Sequence, residues 1–117
     1  MIRFIPTKVH GVIDYAAGAT FMASPWLFGF ADDTAATYVP VGIGVAALGT
    51  SLFTDYELGA VRKIPMEGHL AGDIAQGVAF LAAPYVFGFA RRVKWPHLLF
   101  GAFAIGAGLL TKTQVGR

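Results

Sequence analysis

Apolar and polar positions alternate here in long blocks rather than at the period of a strand or of a one-faced helix. Four stretches, 15–31, 34–54, 74–90 and 95–111, contain no Asp, Glu, Lys or Arg, and each is rich in Gly and Ala. Uncharged runs of 17 to 21 residues predict helices that are apolar all round, long enough to cross a bilayer. The predicted helices cover residues 9–30, 38–54, 69–90 and 95–111. The connection 32–37 is too short to cross back, so the second helix returns antiparallel to the first. A soluble helical bundle of this length could not hide four such runs on every face.

The pattern is written twice. At an offset of 59 residues, 10–31 matches 69–90 at 11 of 22 positions without a gap. His10/His69, Asp14/Asp73, Gly18/Gly77, Pro25/Pro84 and Gly29/Gly88 are among them. Shared apolar composition yields matching Ala or Phe, but it does not place His, Asp, Pro and Gly in register. At the same offset Arg3, Ile5 and Pro6 recur as Arg62, Ile64 and Pro65, and Gly42 and Gly49 as Gly101 and Gly108. The expected fold is an all-α membrane protein, a single domain over 1–117 with internal repeats 2–54 and 61–113. Its four transmembrane helices form two tandem helical hairpins. An even number of spans per copy makes the hairpins parallel, related by an axis along the membrane normal.

Composition agrees with this picture: 14% of residues are charged and mean hydropathy is +0.60, against about 25% charged in soluble domains. Net charge is +2, but the basic residues lie between the apolar runs and form no stripe, so nucleic acid is not an expected partner. Zero cysteines exclude disulfides, thiolate metal sites and a Cys nucleophile. The first helix has a basic start and a small-x-small triplet, 17–19, like a cleaved signal. Asp14 interrupts its apolar core and the segment recurs in mid-chain, so it is expected to be retained. Arg3, Lys8, Arg62, Lys63, Lys112 and Arg117 fall on one side, against Arg91, Arg92 and Lys94 on the other. By the positive-inside rule both termini are expected to be cytoplasmic.

Each first helix ends alike, SPWLFGF at 24–30 and APYVFGF at 83–89. Pro25 and Pro84 remove a backbone hydrogen bond near the helix end. Trp26 and Tyr85 suit the headgroup level, and Gly29 and Gly88 suit a helix C-terminus. Ser24-Pro25-Trp26, placed near the end of the first helix of a duplicated hairpin, resembles the SPW-repeat family of small bacterial membrane proteins. The resemblance covers 10–54 well and 69–113 less well, since Ala83 and Tyr85 replace Ser and Trp. It implies a fold and a bacterial inner-membrane location, and it carries no catalytic or binding residue with it.

One polar constellation stands out. His10 and Asp14 are four apart and share a helix face, as do His69 and Asp73. An acid about a turn inside the membrane faces inward and takes a partner, and the symmetry axis lets both pairs meet in the bundle centre. Gln76 adds a polar group in the second copy only. The readings left open are structural hydrogen bonding, a proton or ion pathway, and a metal or haem site built on His10, Asp14, His69 and Asp73. Arg3 and Arg62 are candidates for compensating the acids at the surface and for binding lipid headgroups. His97, with Tyr38 at the equivalent place, is read as an interfacial helix-start residue. Ser24 and Ser51 are the only serines, Ser24 lies far from the His–Asp pairs, and no phosphate loop, zinc-peptidase or dinucleotide motif is present. The expected function is a structural or interaction role without catalysis and without a resident cofactor. The expected partners are the lipid bilayer and either copies of itself or other membrane proteins. A small transporter and a haem- or metal-binding protein are the alternatives.

Overall fold

In a computed structural model, which describes residues 2–115, the chain forms α1 (Thr7–Leu27), α2 (Thr34–Leu52), α3 (Met66–Val86) and α4 (Trp95–Leu110). There is no extended sheet among the described residues, only two isolated bridges. Helix α1 packs along α2 and α3 along α4; the hairpins meet through α2 and α3, with slighter contact between α1 and α4. The long dimension is 45 Å. Among the described residues one helix, Thr34–Leu52, is long and apolar enough to cross a membrane by length and composition; Trp95–Leu110 is apolar but shorter.

Helices α1 to α3 start two to four residues earlier than the pattern predicts, and α1 to α3 also end two to four residues earlier. Pro6 and Pro65 stand just before α1 and α3, where the fixed proline φ starts a helix without losing a needed N–H. Gly29 and Gly88, at φ of 76° and 75°, end α1 and α3 in the left-handed conformation that spares glycine a Cβ clash. The N–H groups of Phe30 and Phe89 then reach back to the carbonyls of Pro25 and Pro84, both at 2.8 Å. This is the six-to-one bond of a Schellman end, and it turns Phe30 and Phe89 into the core beside Ala36 and Ala83.

Ser24 completes the motif. Pro25 has no N–H for the carbonyl of Phe21, four residues back, and the Ser24 hydroxyl donates to that carbonyl at 2.8 Å. Ala83 has no hydroxyl to do the same for Phe80. Trp26 and Tyr85 point outward, both mostly exposed.

Within each hairpin the two helices cross where glycines let backbones touch. A Cβ on Gly44 would meet the Gly18 carbonyl at 2.7 Å, and one on Gly101 the Gly77 carbonyl at 2.7 Å. Gly42 and Gly49 have nothing within 4 Å of an added Cβ. Gly101 therefore plays the part of Gly44, not of Gly42. The first helices correspond at an offset of 59 residues and the second helices at 57, because the second copy is two residues shorter between them. Pairing Gly42 with Gly101 and Gly49 with Gly108 is corrected accordingly.

The chain ends obey the same shifted register. Phe4 and Ile5 donate to the Leu110 carbonyl at 2.8 and 3.1 Å, while Lys63 and Ile64 donate to the Phe53 carbonyl at 3.0 and 2.8 Å. Each segment entering a first helix thus pairs with the chain leaving the other hairpin's second helix. The loop between α2 and α3 passes beneath the bundle and places Tyr56, fully buried, at its centre.

Candidate functional site

Where α1 and α3 face each other near their N-terminal ends, His10, Asp14, His69 and Asp73 come together. Helical spacing of four puts each His and Asp on one inward face. His10 Nε2 hydrogen-bonds Asp73 Oδ2 at 2.8 Å and lies 2.9 Å from Asp14 Oδ1. His69 Nε2 lies 2.9 Å from Asp14 Oδ2 and 3.4 Å from Asp73 Oδ2. At neither is the angle that of a hydrogen bond, so His69 Nε2 is buried without such a partner. The imidazoles stand edge to face, centroids 5.3 Å apart. Both histidines and Asp14 are buried, and Asp73 is partly so.

The outer nitrogens are fixed by threonines. His10 Nδ1 lies 2.7 Å from Thr111 Oγ1, and His69 Nδ1 lies 2.7 Å from Thr54 Oγ1. Each hydroxyl also donates to a helical carbonyl four residues back, Ala107 and Thr50, at 2.6 Å. A hydroxyl has one proton, and a carbonyl can only accept. The threonine oxygens therefore accept from the imidazoles, and both Nδ1 atoms carry a proton. Both Nε2 atoms are left to face the carboxylates.

Tyr56 donates from its hydroxyl to Asp14 Oδ2 at 2.8 Å. Burial, and then the charge of Asp14, push its phenol above the ordinary value, which keeps it a donor. Thr7 at the start of α1 donates to Glu57 at 2.7 Å, holding the same loop. Tyr56, Thr54 and Thr111 did not emerge from sequence reasoning. At the 59-residue offset the two threonines fall out of register, and only at 57 do they coincide.

Gln76 is not among the four converging groups. It lines a cavity of about 20 Å³ shared with Asp14, Asp73, Phe21 and Ala104, space for about one water molecule. Ile13, Ala17, Phe21 and Phe103 line both this cavity and an apolar groove between α1 and α4. A haem would need a slot for its macrocycle between the imidazoles, and the carboxylates occupy that position.

Arg3 does not compensate the acids. Its guanidinium caps α4, donating to the carbonyls of Gly108 and Thr111 at 3.0 and 2.8 Å, where a cation suits the negative helix end. Arg62 is exposed and reaches the Glu57 carbonyl at 3.5 Å. Arg117 lies outside the described residues.

Above the polar cluster Phe21, Phe80 and Phe100 close the interior, with ring centroids 4.8 to 5.5 Å apart. His97 lies beyond them. It is fully buried rather than interfacial, with Phe30 and Phe89 rings 5.3 and 4.9 Å away. Its Nε2–H donates to the Ala36 carbonyl at 2.9 Å. In the shifted register its counterpart is Pro40, also buried, and not Tyr38, which is exposed. At that end Arg92 donates to Asp33 across the two hairpins. The guanidinium, and then the Ala36 N–H at 3.1 Å, hold the Asp33 carboxyl below its usual range.

A family model for the SPW repeat domain matches residues 8–111. No curated protein and no solved structure matches significantly.

Proposed function

The chain belongs to the SPW repeat family, and from that membership we propose that it is a four-span integral membrane protein with a structural or interaction role and no reaction of its own. One observation carries this reading: the protein buries many polar side chains while leaving large apolar ones exposed. His10, His69, His97, Thr7, Ser24, Ser51, Thr54 and Thr111 are at most 2% exposed. Leu27, Val86, Leu99, Phe28, Phe87 and Val12 are more than half exposed. In water that arrangement leaves a large apolar area unburied, at a cost of about 25 cal/mol per Å². Hydrocarbon tails remove the cost and leave buried hydrogen bonds to specify the packing. The spans are short, but the 45 Å length of the molecule matches the roughly 40–45 Å of a bilayer with its headgroups.

Both termini are assigned to the cytoplasm of a bacterial inner membrane, the side carrying Arg3, Lys8, Arg62, Lys63 and Lys112. The aromatic layer of Phe21, Phe80 and Phe100 favours a scaffold over a conduit, since it leaves the His–Asp cluster no polar continuation across the interior. Exposed Ala71, Ala75 and Ala79 lie at the four-residue spacing that admits a second helix, and a second copy of this chain is the occupant proposed.

The absence of native cysteine makes the test direct. Single cysteines at Thr113 and Arg91 should react with a membrane-impermeant maleimide from opposite sides of sealed vesicles, and Ala75→Cys should form a disulfide dimer. Labelling of both positions from one side, or extraction of the protein from membranes by alkaline carbonate, would overturn the four-span reading. A native mass spectrum showing only monomer would overturn the assembly.

A further inference from the structure

We infer that His10, Asp14, His69 and Asp73 form a binding site for one divalent transition-metal ion of the zinc class. The inference goes beyond the membrane-scaffold reading and rests on a different observation, the convergence of two imidazole nitrogens and two carboxylates. One ligand atom from each lies within 4.8 Å of the other three. The four His–Asp separations are 2.8, 2.9, 2.9 and 3.4 Å. A tetrahedron built on bonds of 2.0–2.2 Å has edges of about 3.4 Å. The pairs at 2.8 and 2.9 Å, in which Asp14 turns a different oxygen to each imidazole, must open by about half an ångström and wider pairs must close toward that edge, movements that side-chain rotation supplies.

A second observation points into the same space. Both Nδ1 atoms hold their protons against threonine oxygens. An imidazole so fixed has only its Nε2 proton to give up when a metal binds, and the lone pair freed there is the one a metal takes. Metal-binding histidines are held in this way, the far N–H donating to an oxygen that sets ring and tautomer. His69 Nε2 in particular is 99% buried with its side chain aimed at the carboxylates, and it has no hydrogen bond. Leaving such an atom unpaired costs free energy, and a metal ion is a partner that its lone pair can serve.

Charge gives a third reason. Two buried carboxylates carry two negative charges that a low-dielectric interior requires to be balanced, here by imidazole protons such as the one His10 Nε2 shares with Asp73. A single divalent ion that takes the place of the Nε2 protons balances both carboxylates and leaves the imidazoles neutral. Two nitrogens and two oxygens without sulfur suit Zn²⁺, with Co²⁺ as its spectroscopic substitute. Ca²⁺ and Mg²⁺ prefer six or more oxygens. Four protein ligands close the site, as in structural zinc centres. The ion would join α1 to α3, one helix from each hairpin.

The test uses the full chain in mild detergent, stripped with a chelator and titrated with Zn²⁺ by calorimetry, then with Co²⁺ by visible spectroscopy. One Zn²⁺ per chain is expected, with the intense visible bands of four-coordinate Co²⁺. Asp73→Asn keeps the side-chain shape and should weaken Zn²⁺ binding at least 100-fold. Thr54→Val leaves every ligand in place and should weaken it about 10- to 100-fold through loss of the imidazole anchor. It serves as the second variant if Asp73→Asn loses its helical circular-dichroism signal. No saturable Zn²⁺ binding by the native chain overturns the inference, as does binding that Asp73→Asn and Thr54→Val leave unchanged. Either result leaves the topology experiment untouched, so the two proposals fail separately.

Discussion

His10 Nδ1 and Thr111 Oγ1 meet at 2.7 Å across 101 residues of chain. The contact joins the first turn of α1 to the residue that ends α4, and His69 with Thr54 repeats it between α3 and the end of α2. Each hairpin therefore supplies the threonine that orients the other hairpin's histidine. The exchange locks the two copies together through hydrogen bonds that no water competes for.

Thr54→Val and Thr111→Val test that lock. Valine matches threonine in shape and removes only the hydroxyl, leaving a buried imidazole N–H without an acceptor. Each change should cost about 1–3 kcal/mol, and the two should be similar because the geometries are. Thermal unfolding in detergent measures this. A neutral result at either site would mean that the imidazole protons point elsewhere.

Ser24 predicts an asymmetry between the copies. Its hydroxyl serves the Phe21 carbonyl that Pro25 leaves free, whereas Ala83 offers Phe80 nothing. Ser24→Ala should destabilise by about 1–3 kcal/mol, the penalty of a buried unsatisfied acceptor, and Ala83→Ser should stabilise. Equal insensitivity at both positions would remove this account of the Ser-Pro pair.

How much of this the sequence carries depends on range. Helix ends are local: Pro6, Gly29, Pro65 and Gly88 mark them by backbone conformation alone, and the glycine stops were legible as such. The His–Asp pairs were legible because a spacing of four fixes a helix face. Which residues meet them was not, since Thr54, Thr111 and Tyr56 arrive from other elements. Their placement depends on a two-residue difference between the copies that no local signal announces. Arg3 misled for the same reason, because its distance in sequence from Asp14 says nothing about the α4 carbonyls that claim it. His97 follows an aromatic and a proline, an interfacial pattern, and only the tertiary packing of Phe30 and Phe89 puts it in the core.

The Asp33–Arg92 pair predicts a pH effect. The folded-state pKa of Asp33 lies below its unfolded value of about 3.9. Its contribution to stability is therefore full above that value and is lost as pH falls through the folded pKa. Asp33→Asn retains an N-cap acceptor for the Ala36 N–H and removes only the charge. It should flatten the fall in melting temperature below about pH 4. The effect should shrink in high salt, because Arg92 is exposed and surface pairs are screened. A pH profile identical to that of the native protein would show that the bridge between the hairpins carries no free energy.

The glycines discriminate between the two registers of the second helices. In the 57-residue register Gly44 and Gly101 are the contact positions, and a methyl at either would press into a carbonyl at 2.7 Å. Backbone cannot rotate away as a side chain can, so the hairpin must separate. Gly44→Ala and Gly101→Ala should each cost at least about 2 kcal/mol, at the upper end for overpacked sites. Gly42 and Gly49 face open space. Alanine there should be neutral or should stabilise by up to about 1 kcal/mol, since glycine is the poorer helix former. In the 59-residue register Gly42 would match Gly101 and the two would respond alike. Measuring all four melting temperatures under one condition separates the alternatives. Loss at Gly42 and tolerance at Gly44 would reverse the packing derived for α1 against α2.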